Sequence, residues 1–151
     1  MKTLTRRTLI LGAGASAATA LLIGRAAATT QARDAAVAEL TGGAAIKDGR
    51  VRLTIPAVAE NGLSVYTTIA VDSPMTEADH VRAIHIISEK NPIARLFTAR
   101  FSPRSRVAKL STNLRLASSQ QVTALAEMSD GSFWRDRKDV IVTIAACIDG
   151  G

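Results

Sequence analysis

Val81-Arg82-Ala83-Ile84-His85-Ile86-Ile87 places apolar, mostly β-branched side chains at successive positions instead of alternate ones. A strand with that pattern is buried on both faces, so the rest of the chain must supply a layer for each side. The flanking segments are strands as well. Arg50 to Ile55 alternates and ends at Pro56. Asn61-Gly62 is a turn signal before Val65 to Val71, and Ser73-Pro74 breaks the chain again. After Asn91-Pro92, Leu96 to Phe101 and Val107 to Leu116 read as a hairpin joined around Ser102-Pro103. Val122 to Met128, the turn Ser129-Asp130-Gly131 and a last strand from Val140 to Ala145 complete the set. About seven short strands at this spacing predict an all-β fold, an immunoglobulin-like antiparallel β-sandwich. The Cys…Trp…Cys core of true immunoglobulin domains is absent, so the expectation concerns architecture alone. Ala32 to Leu40 carries a weak apolar stripe stopped by Gly42-Gly43, which predicts one short N-terminal helix.

The first 28 residues read differently. Lys2, Arg6 and Arg7 precede an apolar stretch from Leu9 to Ile23, and Ala26-Ala27-Ala28 follows. That order is an export signal with cleavage expected near Ala28. Thr5-Arg6-Arg7-Thr8-Leu9-Ile10 resembles the twin-arginine motif, which predicts periplasmic localisation by that route. The apolar run is shorter than the roughly 18 residues of a membrane-spanning helix, so no stable membrane anchor is expected. The expected organisation is a signal over 1–28, a sandwich over 29–144 and a flexible C-terminal arm over 145–151.

The formal charge of +6 overstates the basicity of the folded part. Four of the 19 Lys and Arg residues (Lys2, Arg6, Arg7 and Arg25) lie in the leader; removing them leaves 15 against 13 acidic residues, or +2. Such a surface does not demand a polyanion. Arg95, Arg100, Arg104, Arg106, Lys109 and Arg115 form a basic stretch without an acidic residue among them. It reads as a solvated strand face, or as attraction for small anions or an acidic partner. Stacking aromatics are missing from it, so nucleic acid is not expected.

Cys147 is the only cysteine, four residues from the C-terminus. In an oxidising compartment an unpaired thiol is buried, awaits another molecule, or is reactive. Its place just past the last strand favours the exposed, reactive reading. His80 and His85 lack a third ligand and, five apart on a strand, would face opposite ways; no metal site is expected. Gly-x-Ser-x-Gly, phosphate-loop and dinucleotide motifs are absent, so neither a cofactor nor a self-sufficient enzyme is expected.

Ala59-Glu60-Asn61-Gly62, Ser73-Pro74-Met75-Thr76, Ile84-His85-Ile86, Ser88-Glu89-Lys90-Asn91-Pro92 and Ala126-Glu127-Met128-Ser129-Asp130-Gly131-Ser132 occur in that order. With a twin-arginine leader and a near-terminal cysteine, they resemble SoxY, the carrier subunit of bacterial sulfur-oxidation systems. The resemblance runs from about residue 33 to the end. It implies an immunoglobulin-like sandwich that pairs with a SoxZ-like subunit as a heterodimer. It further implies that Cys147 bears the substrate covalently. A SoxAX-like cytochrome joins thiosulfate to it, a SoxB-like enzyme removes the sulfonate as sulfate, and a sulfur-dehydrogenase-like enzyme oxidises the remaining sulfane. The protein would be a carrier, not a catalyst.

The tail departs from the family pattern. The family ends in Gly-Gly-Cys-Gly-Gly, this chain in Ala145-Ala146-Cys147-Ile148-Asp149-Gly150-Gly151. Ala145 and Ala146 have fewer backbone states than glycine. Ile148 thickens the segment, and Asp149 sets a carboxylate near the thiol, which disfavours the thiolate and repels anionic thiosulfate. Two other readings therefore stand beside the first. One is a diverged carrier of another periplasmic oxidation system. The other is a structural or redox module dimerising through Cys147.

Overall fold

The computed structural model describes residues 24–144, with side chains from Thr30 onward. Arg6, Arg7 and most of the expected export signal lie outside the described residues. So does the expected arm: Ala145, Ala146, Cys147, Ile148, Asp149, Gly150 and Gly151. One helix, α1 (Gly24–Thr41), precedes nine strands: β1 (Ile46–Asp48), β2 (Val51–Thr54), β3 (Val58–Asn61), β4 (Val65–Val71), β5 (Val81–Ser88), β6 (Arg95–Arg100), β7 (Ala108–Leu114), β8 (Gln120–Met128) and β9 (Phe133–Ile144). Among the described residues, no helix is long and apolar enough to cross a membrane.

The strands form the two layers of an immunoglobulin-like sandwich. The larger sheet runs β1-β9-β8-β5-β6, with β3 also paired to β9; the smaller runs β2-β4-β7. Alternation sets the inner faces. Val65, Thr67, Ile69 and Val71 of β4 are buried, and Val51 and Leu53 of β2 join them. Val122, Ala124, Ala126 and Met128 of β8 face them across the core, with Val81, Ile84 and Ile86 of β5. Outside the regular ladders the layers are tied by the Asp136 carboxylate of β9, which accepts the Leu53 N–H of β2 at 2.9 Å.

The double burial expected of Val81 to Ile87 is present, since only Arg82 of β5 is exposed. The second face is covered by α1. Ala36, Val37 and Leu40 pack with Ile46 on Ile87, Ala94, Leu125 and Phe133. The helix is twice the expected length, but its weak stripe is the part that makes this contact. At its end the Gly42 N–H bonds the Ala38 carbonyl at 2.9 Å, with Gly42 at φ 58° and Gly43 at φ 83°.

The expected hairpin of Leu96–Phe101 with Val107–Leu116 does not form. β6 pairs with β5, and β7 pairs with β4 in the other sheet. The intervening segment makes a single 3-10 turn at Pro103–Ser105, and Arg106 follows at φ 55°. Phe101 packs on the core at that corner. Turn residues alone do not distinguish a hairpin from a crossing between layers. Two short strands were not expected, β1 and β3, and both lie parallel to β9. Three or four residues are too few for alternation to be read. β9 itself begins seven residues before the expected Val140, because charged residues from Arg135 to Asp139 hide its period.

Gly49 closes the β1–β2 turn at φ 132°, and a Cβ there would sit 3.3 Å from Cζ3 of Trp134. The Lys47 ammonium and the Arg50 guanidinium lie 5.4 and 5.8 Å from the Trp134 ring. Gly49→Ala should therefore cost about 1–3 kcal/mol through backbone strain and ring displacement. Urea unfolding followed by Trp134 fluorescence checks this; an unchanged midpoint contradicts the packing described.

Candidate functional site

The last described residue, Ile144, is the root of the tail that carries Cys147. The final residues of β9 extend past Gln120, the first residue of β8, where the β8–β9 ladder no longer holds them. Side chains take over. Ser119 Oγ accepts the Val142 N–H at 2.9 Å and lies 3.4 Å from the Val142 carbonyl, to which it donates. On the opposite edge, β3 pairs Val58 with Ile141 and Asn61 with Ile144. Thr143 Oγ1 donates to the Glu60 carbonyl at 2.9 Å. The Gly62 N–H bonds the Ile144 carbonyl at 3.0 Å, and the Gly62 carbonyl accepts the Leu116 N–H at 2.8 Å. The root is thus fixed from both sides up to its last residue. Cys147 lies three positions beyond Ile144, a reach of about 10 Å at roughly 3.3 Å per residue. Around the root Val58, Leu63, Ile141 and Ile144 are exposed apolar side chains.

Several of the motifs that carry the resemblance form corners supporting this end and its opposite, while Ile84-His85-Ile86 lies within β5. Asn61 is the last residue of β3, and its Oδ1 accepts the Leu63 N–H at 2.8 Å, turning the chain beside the root. Asn91 binds the Arg115 carbonyl at 2.7 Å and accepts from Ala117 N at 3.1 Å and Gln120 Nε2 at 2.8 Å. It thereby positions the segment that contains Ser119. At the far end Ser129 Oγ accepts the His80 N–H at 3.1 Å and donates to the Ala78 carbonyl at 3.2 Å. Asp130 accepts the Ser132 N–H at 2.8 Å, and the Ser132 hydrogen bonds lower its carboxyl below the ordinary value. Ser119 and Thr143 carried no sequence signal; the role of Ser119 depends on where β8 begins and that of Thr143 on the pairing of β3 with β9.

His80 precedes β5, its Nδ1 3.0 Å from the Thr76 carbonyl, while His85 lies within β5 and is 5% exposed. Among the described residues no group of three His, Cys, Asp or Glu side chains gathers as a metal site would require. His85 Nδ1 meets Thr98 Oγ1 at 3.0 Å, and Nε2 is buried with no hydrogen-bond partner among the described residues. The ring is a packing element of the outer sheet face. Burial lowers its pKa below 6.5; Glu127 opposes this, and Arg95 and Arg100 add to it.

The geometry defines an immunoglobulin-like sandwich that holds the base of a cysteine-bearing tail between a serine clamp and a short parallel strand. The family model "Sulfur oxidation protein SoxY" matches residues 37–147, ending on the cysteine itself, and the chain belongs to the SoxY family. Its fold is similar to that of the sulfur carrier protein SoxY from Chlorobium limicola f thiosulfatophilum, with a TM-score of 0.64 and 23% identity, covering 78% of this chain and 97% of that one. It is also similar to superoxide reductases. A variant of the Ignicoccus hospitalis enzyme gives a TM-score of 0.52 at 17% identity, covering 72% and 86% of the two chains. The Nanoarchaeum equitans enzyme gives 0.51 at 14%, covering 64% and 100%. No curated protein matches the chain.

Two measurements check this geometry. Ser119→Ala removes the partner of the Val142 N–H, and a loss of about 1 kcal/mol of local stability should speed exchange of that amide about fivefold. Equal protection in both proteins would refute the clamp. For His85, the folded pKa lies below the unfolded one, so the unfolded chain binds more protons as pH falls. The stability due to neutral His85 is complete above pH 6.5 and is lost as pH drops below it towards the folded pKa. His85→Leu should remove this component, so that the variant gains on wild type between about pH 7.5 and about pH 5 in parallel urea titrations. A difference constant with pH would show that His85 does not titrate on unfolding.

Proposed function

We propose that this chain is a periplasmic covalent carrier of sulfur-oxidation intermediates, exported through the Arg6-Arg7 signal, with Cys147 as the attachment residue. The single observation that carries the reading is that the family match runs to Cys147 while the structure clamps the chain up to Ile144, three residues earlier. A thiol set just beyond a fixed root can be offered to separate enzymes while the body stays rigid. The Chlorobium limicola protein of similar fold is a sulfur carrier by its name.

In the first step the Cys147 thiol sulfur bonds to the sulfane sulfur of thiosulfate. The thiol gives up its proton, and an electron pair passes to a SoxAX-like cytochrome. Water then cleaves the terminal S–S bond in a SoxB-like enzyme, releasing sulfate and a proton and leaving a persulfide. A sulfur-dehydrogenase-like enzyme oxidises that sulfane. The sandwich pairs with a SoxZ-like subunit as a heterodimer. No catalytic group of the carrier enters these steps.

The altered tail, with Ala145, Ala146, Ile148 and Asp149, favours a second reading in which the same carrier chemistry serves another periplasmic oxidation system. Intact-mass analysis of the protein from thiosulfate-grown cells separates the two. Sulfonate and thiosulfonate adducts should map to Cys147 and vanish in Cys147→Ser. Thiosulfate consumption with no adduct at Cys147 would overturn the first reading. A stoichiometric disulfide dimer in place of adducts would assign Cys147 to structural pairing instead.

A further inference from the structure

From Lys90 to Ala126 the sequence contains no acidic residue, and that stretch includes β6, the corner after it and β7. β6 is the edge of the larger sheet and β7 an edge of the smaller, joined at one end by the corner holding Pro103–Ser105. At the other end Ile93, Arg95, Leu96 and Arg115 share one cavity of about 260 Å³. β6 carries Arg95 and Arg100 on the outer face of the larger sheet, the corner carries Arg104 and Arg106, and β7 and the residue after it carry Lys109, on the outer face of the smaller sheet, and Arg115, all exposed. Among the described residues only Arg95 has a carboxylate partner, Glu39 at 3.9 Å. Apolar surface lies among these cations: Ile93 is 72% exposed, Val107 66% and Phe97 40%.

The backbone of β6 is open as well. The Phe101 N–H donates to the Arg82 carbonyl, so by alternation Thr98 and Arg100 turn their N–H and C=O groups away from β5. Among the described residues no strand takes them up. A free edge flanked by exposed aromatic and aliphatic side chains is suited to receiving a further strand. The uniform charge decides which kind of chain can supply it. A second copy docked through the same side would set these cations against their own equivalents. A partner with an acidic edge would neutralise them.

We propose that the β6–β7 side of the sandwich docks a different, acidic protein chain, which adds a strand to β6. This deepens the heterodimer reading above and rests on it. The place fits the carrier geometry. β5 and β8 separate β6 from β9, a lateral distance of about 14 Å at roughly 4.8 Å per strand. A partner seated on β6 leaves β3 and the root of the Cys147 tail open to other enzymes.

The test uses the full-length mature chain and the SoxZ-like subunit of the same organism, with affinity measured calorimetrically at low and at high salt. Arg100→Glu, Arg104→Glu and Arg106→Glu combined should weaken association about tenfold or more at low salt, with much less effect at high salt. Arg104→Glu alone, in an exposed turn, should act in the same direction and guards against a folding defect in the triple variant. Arg52→Glu with Arg137→Glu, two exposed cations near β9, should bind as wild type does. Wild-type association that neither β6–β7 variant weakens would overturn this docking face and leave the heterodimer intact. No association of the wild-type chain would overturn the heterodimer reading and the face together. Tighter binding of a DNA duplex than of the subunit at high salt would reassign the face to polyanions.

Discussion

Everything in this fold depends on the burial of the β5–β8 pair from both sides. Ile84, Ile86, Ala124 and Ala126 are fully buried against the smaller sheet, and Ile87 and Leu125 are buried on the reverse face under α1. Each fully buried Ile or Leu contributes about 1.5–3 kcal/mol, so exposing the reverse face would cost several such contributions at once. A two-layer sandwich alone cannot cover it. That is why the chain spends α1 and Ile46 on an outer face that other sandwiches leave to water. The same demand explains His85, a polar ring kept in an apolar layer with one nitrogen bound to Thr98 and the other without a partner.

β9 links this core to the candidate site. Its first half pairs β8 on one side and β1 on the other, its middle sends Asp136 across to β2, and its last residues leave β8 behind and are taken up by β3, Ser119 and Thr143. The strand is therefore rigid to its end. Asn61, Asn91, Ser129 and Asp130 are hydrogen-bonding corners that fix where strands stop and turn. They preserve the body that presents the cysteine.

The parts of the fold legible from the sequence were those with a local period. β4 and β5 begin where alternation and β-branching begin, and of the expected helix stripe Ala35, Ala36, Val37 and Leu40, all but the exposed Ala35 pack. The β6–β7 hairpin was misread because sheet membership is set by the core, through Phe101 and the register of β7 on β4, and no turn residue encodes it. β1 and β3 were missed because they exist only as neighbours of β9. The cysteine stood out by its solitude and position, whereas Ser119 and Thr143 have no meaning until the start of β8 and the β3–β9 pairing are known.

The clamp changes how the altered tail is to be understood. The chain is held through Ile144, and the residues between Ile144 and Cys147 are Ala145 and Ala146 instead of glycines. Alanine keeps the broad β and right-handed regions but loses φ > 0, so fewer directions lead away from the root. Beyond the thiol, Ile148 adds apolar bulk and Asp149 a charge, while Val58, Leu63, Ile141 and Ile144 place exposed apolar side chains around the root. In the carrier proposed above, a receiving enzyme would meet a bulkier, acidic segment from a narrower set of approaches. Under that proposal the substitutions bear on which enzymes can admit the thiol, and leave the thiol itself in place.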